Sequence, residues 1–190
     1  QTEGLQDESE LQSYFIRRVE KHLEPLGKSI VGWDEILEGG LAPGATVMSW
    51  RGVEGGIAAA RADHNVVMSP TSHCYFDYRQ SGNPGEPGPT HFDPPVTRLR
   101  DVYEFEPVPA LLEPEHAKRI LGGQANLWTE DVDSMERVEY MLFPRLEALA
   151  EVLWSPRSLR DWDSFKNRLA FHAQRLEHLS VNYCHIIESV

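Results

Sequence analysis

Residues 28–50 read KSIVGWDEILEGGLAPGATVMSW, and the fold turns on how this stretch is divided. Ser29 to Trp33 is a short apolar run of strand length, residues 34–40 (DEILEGG) form a turn of helix closed by two glycines, and Ala45 to Trp50 is a second strand-length run. Both runs are close to continuously apolar, the pattern of parallel strands covered on both faces. Further along, EGGIAAARA (54–62) is an alanine-rich helix, NVVMS (65–69) a third strand, and KRILGGQANLW (118–128) contains a fourth. The alternation of strand and helix predicts a parallel α/β architecture, either doubly wound or a barrel.

On the N-terminal side, Asp7 with Glu10 forms a capping signal, and Leu11, Phe15, Val19 and Leu23 recur at helical spacing until Pro25 and Gly27. On the C-terminal side, Met135, Val138, Leu142, Leu146, Leu149 and Leu153 mark a helical stretch that starts near Asp133 and is bent or restarted at Pro144. Trp162, Phe165, Leu169, Leu176 and Leu179 mark a last helix. These stripes are expected to be core. Between the third and fourth strands, SGNPGEPGPTHFDPP (81–95) is too rich in Gly and Pro for regular structure and is a long loop, either a functional rim or a flexible insertion.

A chain of 190 residues can bury one substantial core. Its net charge of −12, with no local basic patch, argues against nucleic acid and anionic membrane surfaces as partners. There is no run of 18 apolar residues and no leader-like start. Cys74 and Cys184 match no metal or redox spacing and are expected to be buried free thiols, and the eight histidines show no HExxH, so no metal and no cofactor are expected. GGLAPGAT (39–46) imitates a phosphate loop but has Ala45 where the lysine belongs, and no G-x-S-x-G elbow surrounds Ser49.

Three apolar segments end in tryptophan: Trp33, Trp50 and Trp128. In parallel α/β folds the C-terminal strand ends are where ligands sit. Three indoles there would wall a flat apolar pocket of the kind that stacks on sugar C–H faces. CYFDY (74–78) places Tyr75 and Asp77 on one face if extended, and LWTE (127–130) does the same for Trp128 and Glu130, so each pair offers an aromatic wall and a hydroxyl acceptor. By spacing alone, tryptophans in the core and acids at solvated loop ends account for the pattern equally well.

The combination GKSIVGWDEILEGG, TVMSWRG, CYFDY, VYEFEPVP, GGQANLWTE and EYMLFPRLEALAEVLWS resembles successive landmarks of the family 20 glycoside hydrolases, the β-N-acetylhexosaminidases, from about Leu11 to Trp154. The resemblance implies the second half of a (β/α)8 barrel, about four parallel strands, occupying residues 1–154, with residues 155–190 a C-terminal helical extension packed on it. A whole barrel needs roughly 250 residues.

The resemblance further implies substrate-assisted hydrolysis of terminal N-acetylglucosamine or N-acetylgalactosamine, in which the sugar's own acetamido oxygen attacks the anomeric carbon with net retention. Tyr75 matches the tyrosine that orients that oxygen, Trp33, Trp50 and Trp128 the pocket walls, and Asp77 and Glu130 the acids that bind outer ring hydroxyls, at positions 4 and 6. Tyr78 is a rim or packing residue. The family's Asp-Glu pair lies in an H-x-G-G-D-E type motif upstream of every landmark quoted, and that motif is not in this sequence. Asp34 and Glu35 are therefore a structural turn and helix start, where acids favour the positive end of the helix dipole.

The expected partners are an N-acetylhexosamine-terminated glycan and either the N-terminal half of the barrel or a second copy of the chain. On its own the chain is expected to be inactive, and the family's habit implies an extracytoplasmic location. The competing possibility is a non-catalytic carbohydrate-binding or structural half-barrel.

Overall fold

The computed structural model describes residues 3–83 and 85–186. In chain order the elements are α1 (Glu8–Leu23), β1 (Val31–Trp33), β2 (Thr46–Ser49), α2 (Glu54–Arg61), β3 (Val66–Met68), α3 (Thr71–Cys74), α4 (Leu99–Glu104), α5 (Pro114–Ala117), β4 (Ile120–Gly123), α6 (Met135–Leu142), α7 (Arg145–Trp154) and α8 (Trp162–His178). They fall into two compact units, residues 1–70 with 107–123 and residues 71–106 with 124–190.

The first unit holds a four-stranded parallel sheet in the order β1-β2-β3-β4, as the near-continuous apolar runs predict. Val31, Gly32 and Trp33 register with Thr46, Val47 and Met48, and a register shift separates Val66 from Val67 where β3 meets β4. Val47, Val66 and Met68 are wholly buried, as are Ala59 and Ala60 of α2, which packs on β2 and β3. That approach is close because Gly56 lacks a side chain: a Cβ there would lie 2.6 Å from Met68 Sδ and 3.2 Å from both Ser49 Cβ and Val66 Cγ1. Gly56→Ala should therefore destabilise the unit by about 1–3 kcal/mol in urea titration, although alanine is the better helix former by about 1 kcal/mol.

Helix α1 begins as its capping residues predict. The Asp7 side chain accepts from Glu10 N at 2.9 Å, and the Glu10 carboxylate accepts from Gln6 N at 2.8 Å. It ends in a 3-10 turn and the left-handed Gly27. Its apolar stripe does not form core within the described residues, however: Leu11 and Phe15 are more than half exposed. The face turned to the turn after β1 is polar, with Ser13 Oγ donating to Glu38 O at 2.9 Å and Gln12 Nε2 to Glu35 O at 3.1 Å. The two edge strands also carry exposed apolar side chains, Val31 on β1 and Leu121 on β4.

The second unit is helical. The stretch predicted to start at Asp133 is capped one residue later, by Ser134, and is interrupted at Phe143–Pro144 to give α6 and α7. Its buried face is Met141, Arg145, Ala148, Leu149 and Val152, while Met135, Leu146 and Leu153 of the expected stripe are exposed. The last helix is capped by Asp161 and buries Phe165, Leu169 and Leu176 as predicted, leaving Leu179 exposed. Glu151 ties three helices together by accepting from Tyr103 Oη of α4 at 2.8 Å and pairing with Arg168 of α8. The described residues from 155 onward belong to this unit together with α6 and α7. Helices α3, α4 and α5 were not predicted, because runs of four to six residues are too short to display a helical period.

Candidate active site

In the first unit, Trp33 ends β1 and Trp50 directly follows β2; since the strands are parallel neighbours with Trp33 opposite Met48, both indoles sit at the same, C-terminal end of the sheet. Asp34 and Glu35 open a 3-10 turn of four residues, and their carboxylates are turned to the end of β2 instead of to their own helix. Asp34, 2% exposed, accepts from Trp50 N at 3.0 Å, Arg51 N at 3.2 Å and Arg51 Nε at 2.6 Å. Both Glu35 oxygens accept from Trp50 Nε1, at 3.1 and 3.0 Å. The pair thus opens a short helical turn as expected, and donors just past the end of β2, on Trp50 and Arg51, engage both carboxylates.

In the second unit, the segment after α3 runs beside the segment after β4. Asn126 N donates to Cys74 O at 2.8 Å and Phe76 N donates to Asn126 O at 2.7 Å, forming a parallel bridge between Tyr75 and Asn126. This bridge sets the two aromatic-acid pairs side by side, and Asp77, Trp128 and Glu130 line one small cavity. Tyr75 is 7% exposed, its ring 5.5 Å from that of Tyr78. Tyr78 is equally buried and packs edge-on against Phe92, so it is a packing residue.

Asp77 has unusual electrostatics. Burial lifts its carboxyl to about 6; backbone N–H groups of Asp77 and Trp128 and the Arg145 charge work against that shift, and Glu130 adds to it. Its Oδ1 is buried with no hydrogen-bond partner among the described residues. A desolvated acceptor of this kind is expensive unless something donates to it, and a sugar hydroxyl is a suitable donor.

The Gly/Pro-rich loop supplies part of the cavity wall through Gly88, Pro89 and His91, and Asp131, Val132, Arg137 and Met141 complete it. It is tied down from several sides. Asp131 accepts from Thr90 N at 3.2 Å, from Thr90 Oγ1 at 2.5 Å and is 2.9 Å from His91 Nδ1; the Thr90 bonds, then His91, hold its carboxyl below the ordinary value. Glu86 accepts from the N–H groups of Gln80 and Ser81 and from Tyr140 Oη, and Arg79 reaches Asp93 and the Pro89 carbonyl. Of the two possibilities for this loop, the rim is the one these bonds favour.

Arg145 is the residue sequence reasoning missed. It is fully buried and donates to four carbonyls: Tyr78 O and Thr97 O at 3.0 Å, and Phe76 O and Met141 O at 2.6 Å. Its guanidinium lies 4.8 Å from the centre of the Phe76 ring. Desolvation lowers its pKa to about 9, and nearby acidic groups, Glu86 and Asp77 among them, oppose the shift. The carbonyls of residues 76 and 78 bracket Asp77, so the cation anchors the segment that presents this acid. An arginine four residues after Met141 and three before Ala148, on an otherwise apolar helix face, was the available signal.

Cys74 and Cys184 are both buried and free, and burial pushes the Cys74 thiol far above its usual range. Among the described residues no His, Cys, Asp or Glu cluster could hold a metal, and no helix is long and apolar enough to cross a membrane.

Parallel strands in sequence order, alternating with helices and with tryptophans at the C-terminal ends of β1 and β2, are the make-up of part of a β/α barrel. The model of glycosyl hydrolase family 20, catalytic domain, matches residues 1–157, and the chain belongs to that family. A β-hexosaminidase of Porphyromonas gingivalis is 48% identical over 181 residues, covering 95% of this chain and 23% of the relative. One from Vibrio furnissii is 40% identical over 152 residues, with 78% and 24% covered. Among solved structures, a GH20 exo β-N-acetylglucosaminidase of Vibrio harveyi in complex with N-acetylglucosamine superposes with a TM-score of 0.87 at 36% identity, covering 98% of this chain and 29% of that one. The expected fold class, parallel β/α units from part of a (β/α)8 barrel, holds. The chain spans about a quarter of the length of these two curated relatives.

Proposed function

We propose that this chain is part of a retaining β-N-acetylhexosaminidase that removes terminal N-acetylglucosamine or N-acetylgalactosamine by substrate-assisted catalysis. Trp33, Trp50 and Trp128 wall the acetamido group and sugar face, and Tyr75 donates its hydroxyl hydrogen to the acetamido oxygen and orients it as the nucleophile. Asp77 and Glu130 accept from ring hydroxyls, at positions 4 and 6. The proton donor and the acid that holds the acetamido N–H belong to a segment outside these 190 residues. Residues 1–154 form the barrel portion and residues 155–190 the helical extension. The observation that carries the reading is the buried Asp77 Oδ1, without a hydrogen-bond partner among the described residues, in a cavity shared with Trp128 and Glu130.

Chemically, the division of labour is coherent. An amide oxygen is a weak nucleophile unless held in line, and apolar walls that enclose it also exclude water from the charged intermediate. A sugar without the acetamido group would make no bond to the Tyr75 hydroxyl and would leave the apolar walls unfilled, which penalises it.

Exposed apolar residues support an incomplete barrel: Val31 and Leu121 on the two edge strands, with Leu11 and Phe15 on α1. The partner in this reading is the N-terminal half of the barrel. The test measures release of a chromophore from an aryl N-acetyl-β-glucosaminide by the 190-residue chain alone and by the natural polypeptide that includes the upstream half. No turnover by the first and steady turnover by the second is expected. Turnover by the lone chain would return Glu35 and Glu130 to consideration as the acid, and sugar binding without turnover by the longer polypeptide would favour a carbohydrate-binding module.

A further inference from the structure

The acidic pair after β1 has no acid-base role in the reaction proposed above, yet both carboxylates accept from Trp50. Asp34 holds the main chain of Trp50 and Arg51, and Glu35 holds the Trp50 ring nitrogen with both oxygens. One residue thus sets where the indole begins and the next sets how it is rotated. An indole has a single donor, Nε1–H, and a charged acceptor on that donor removes the rotamers in which the ring swings away from it.

The clamp is itself supported from behind. Arg51 bridges Asp34 and the Glu38 carboxylate, at 2.6 and 2.7 Å. Gly55, in the first turn of α2, lies so close that a Cβ there would come within 3.0 Å of Asp34 Cβ and 3.1 Å of Oδ2, which leaves the carboxylate little room to turn. The pocket wall, the strand end and the helix start are locked in one polar network within the first unit.

We infer that Glu35, backed by Asp34, is a positioning residue that sets the plane of the Trp50 indole and so sets how large an N-acyl group the enzyme accepts. The inference rests on the proposed function, in which Trp50 walls the acetamido group. A ring held from its nitrogen presents a fixed face at van der Waals distance from a methyl, and a ring released from it leaves space for a longer acyl chain.

The experiment compares kcat/KM for N-acetyl and N-propionyl aryl glucosaminides in the natural polypeptide and in its Glu35→Leu, Glu35→Gln and Trp50→Ala variants, with thermal melting as a check on folding. Loss of a charge-assisted bond should narrow the acetyl-to-propionyl preference about tenfold in Glu35→Leu. Glu35→Gln keeps one acceptor oxygen and should narrow it less, about threefold. If the leucine variant does not fold, the glutamine variant decides alone. A preference that collapses in Trp50→Ala but is unchanged in both Glu35 variants overturns the inference. A preference unchanged in Trp50→Ala instead removes Trp50 from the acetamido wall and sinks the parent reading, whatever the Glu35 variants do.

Discussion

Arg145→Met should cost about 4 kcal/mol or more of stability and abolish binding of the sugar. The substitution is close in length and apolar, yet it strands four main-chain carbonyls, those of Phe76, Tyr78, Thr97 and Met141, away from water. Each buried acceptor left without a donor costs about 1–3 kcal/mol, so even partial relaxation leaves a large deficit. Arg145→Lys should fail nearly as badly, because a single ammonium cannot reach carbonyls that a planar fork reaches from two nitrogens. Urea titration followed by far-UV circular dichroism gives the measurement. A loss below about 1 kcal/mol for both variants would mean that the carbonyls find other donors and that Arg145 does not organise the segment around Asp77.

Asp77→Asn carries the second large effect, and its two readouts move in opposite directions. In the assembled enzyme kcat/KM should fall about 100-fold or more, since a carboxylate accepting hydroxyls contributes roughly 1.5–3 kcal/mol per bond. Stability should rise. Burial lifts the carboxyl to about 6, so between the unfolded value near 3.9 and that point the folded chain holds a proton that the unfolded chain has released. The stabilisation from the neutral form is complete below the unfolded pKa and is lost as pH climbs through about 6. The asparagine variant should therefore gain about 1 kcal/mol at pH 7, a figure already reduced for the partial exposure of the group, and the gain should vanish near pH 4. Binding runs the other way: the ionised form accepts from the sugar, so parental kcat/KM should drop below about pH 6 and the variant should lack that limb. Unchanged kinetics with unchanged stability at pH 7 would make Asp77 an ordinary solvated acid.

The sheet was legible because its strands read as short, nearly continuous apolar runs, even where the edge strands leave Val31 and Leu121 exposed, and three of the four strand positions follow directly from that pattern in residues 28–69. The candidate site was legible in part. Tyr75 with Asp77, and Trp128 with Glu130, show themselves by a period of two, and the Asn126 bridge sets the two segments side by side. What stayed hidden depends on long-range partners. Nothing local in GWDEI says that Glu35 will meet an indole fifteen residues later, and nothing in FPRLEALAE says that Arg145 will find carbonyls sixty-nine and forty-eight residues away. The stripes on α1 and α7 misled for the opposite reason: periodicity identifies an apolar face but not what covers it, and Leu11, Phe15, Leu146 and Leu153 are exposed.

The loop over the Asp77 cavity is laced to the body of its unit by Asp131, Glu86 and Arg79. Under the proposed function, a margin tied in this manner surrenders less ordering entropy to a docking glycan than a free loop would, so the cleft acts as a mould cast in advance. Selection at that end of the proposed ligand would then turn on shape at arrival, a residue of the wrong outline being turned away before the loop has moved.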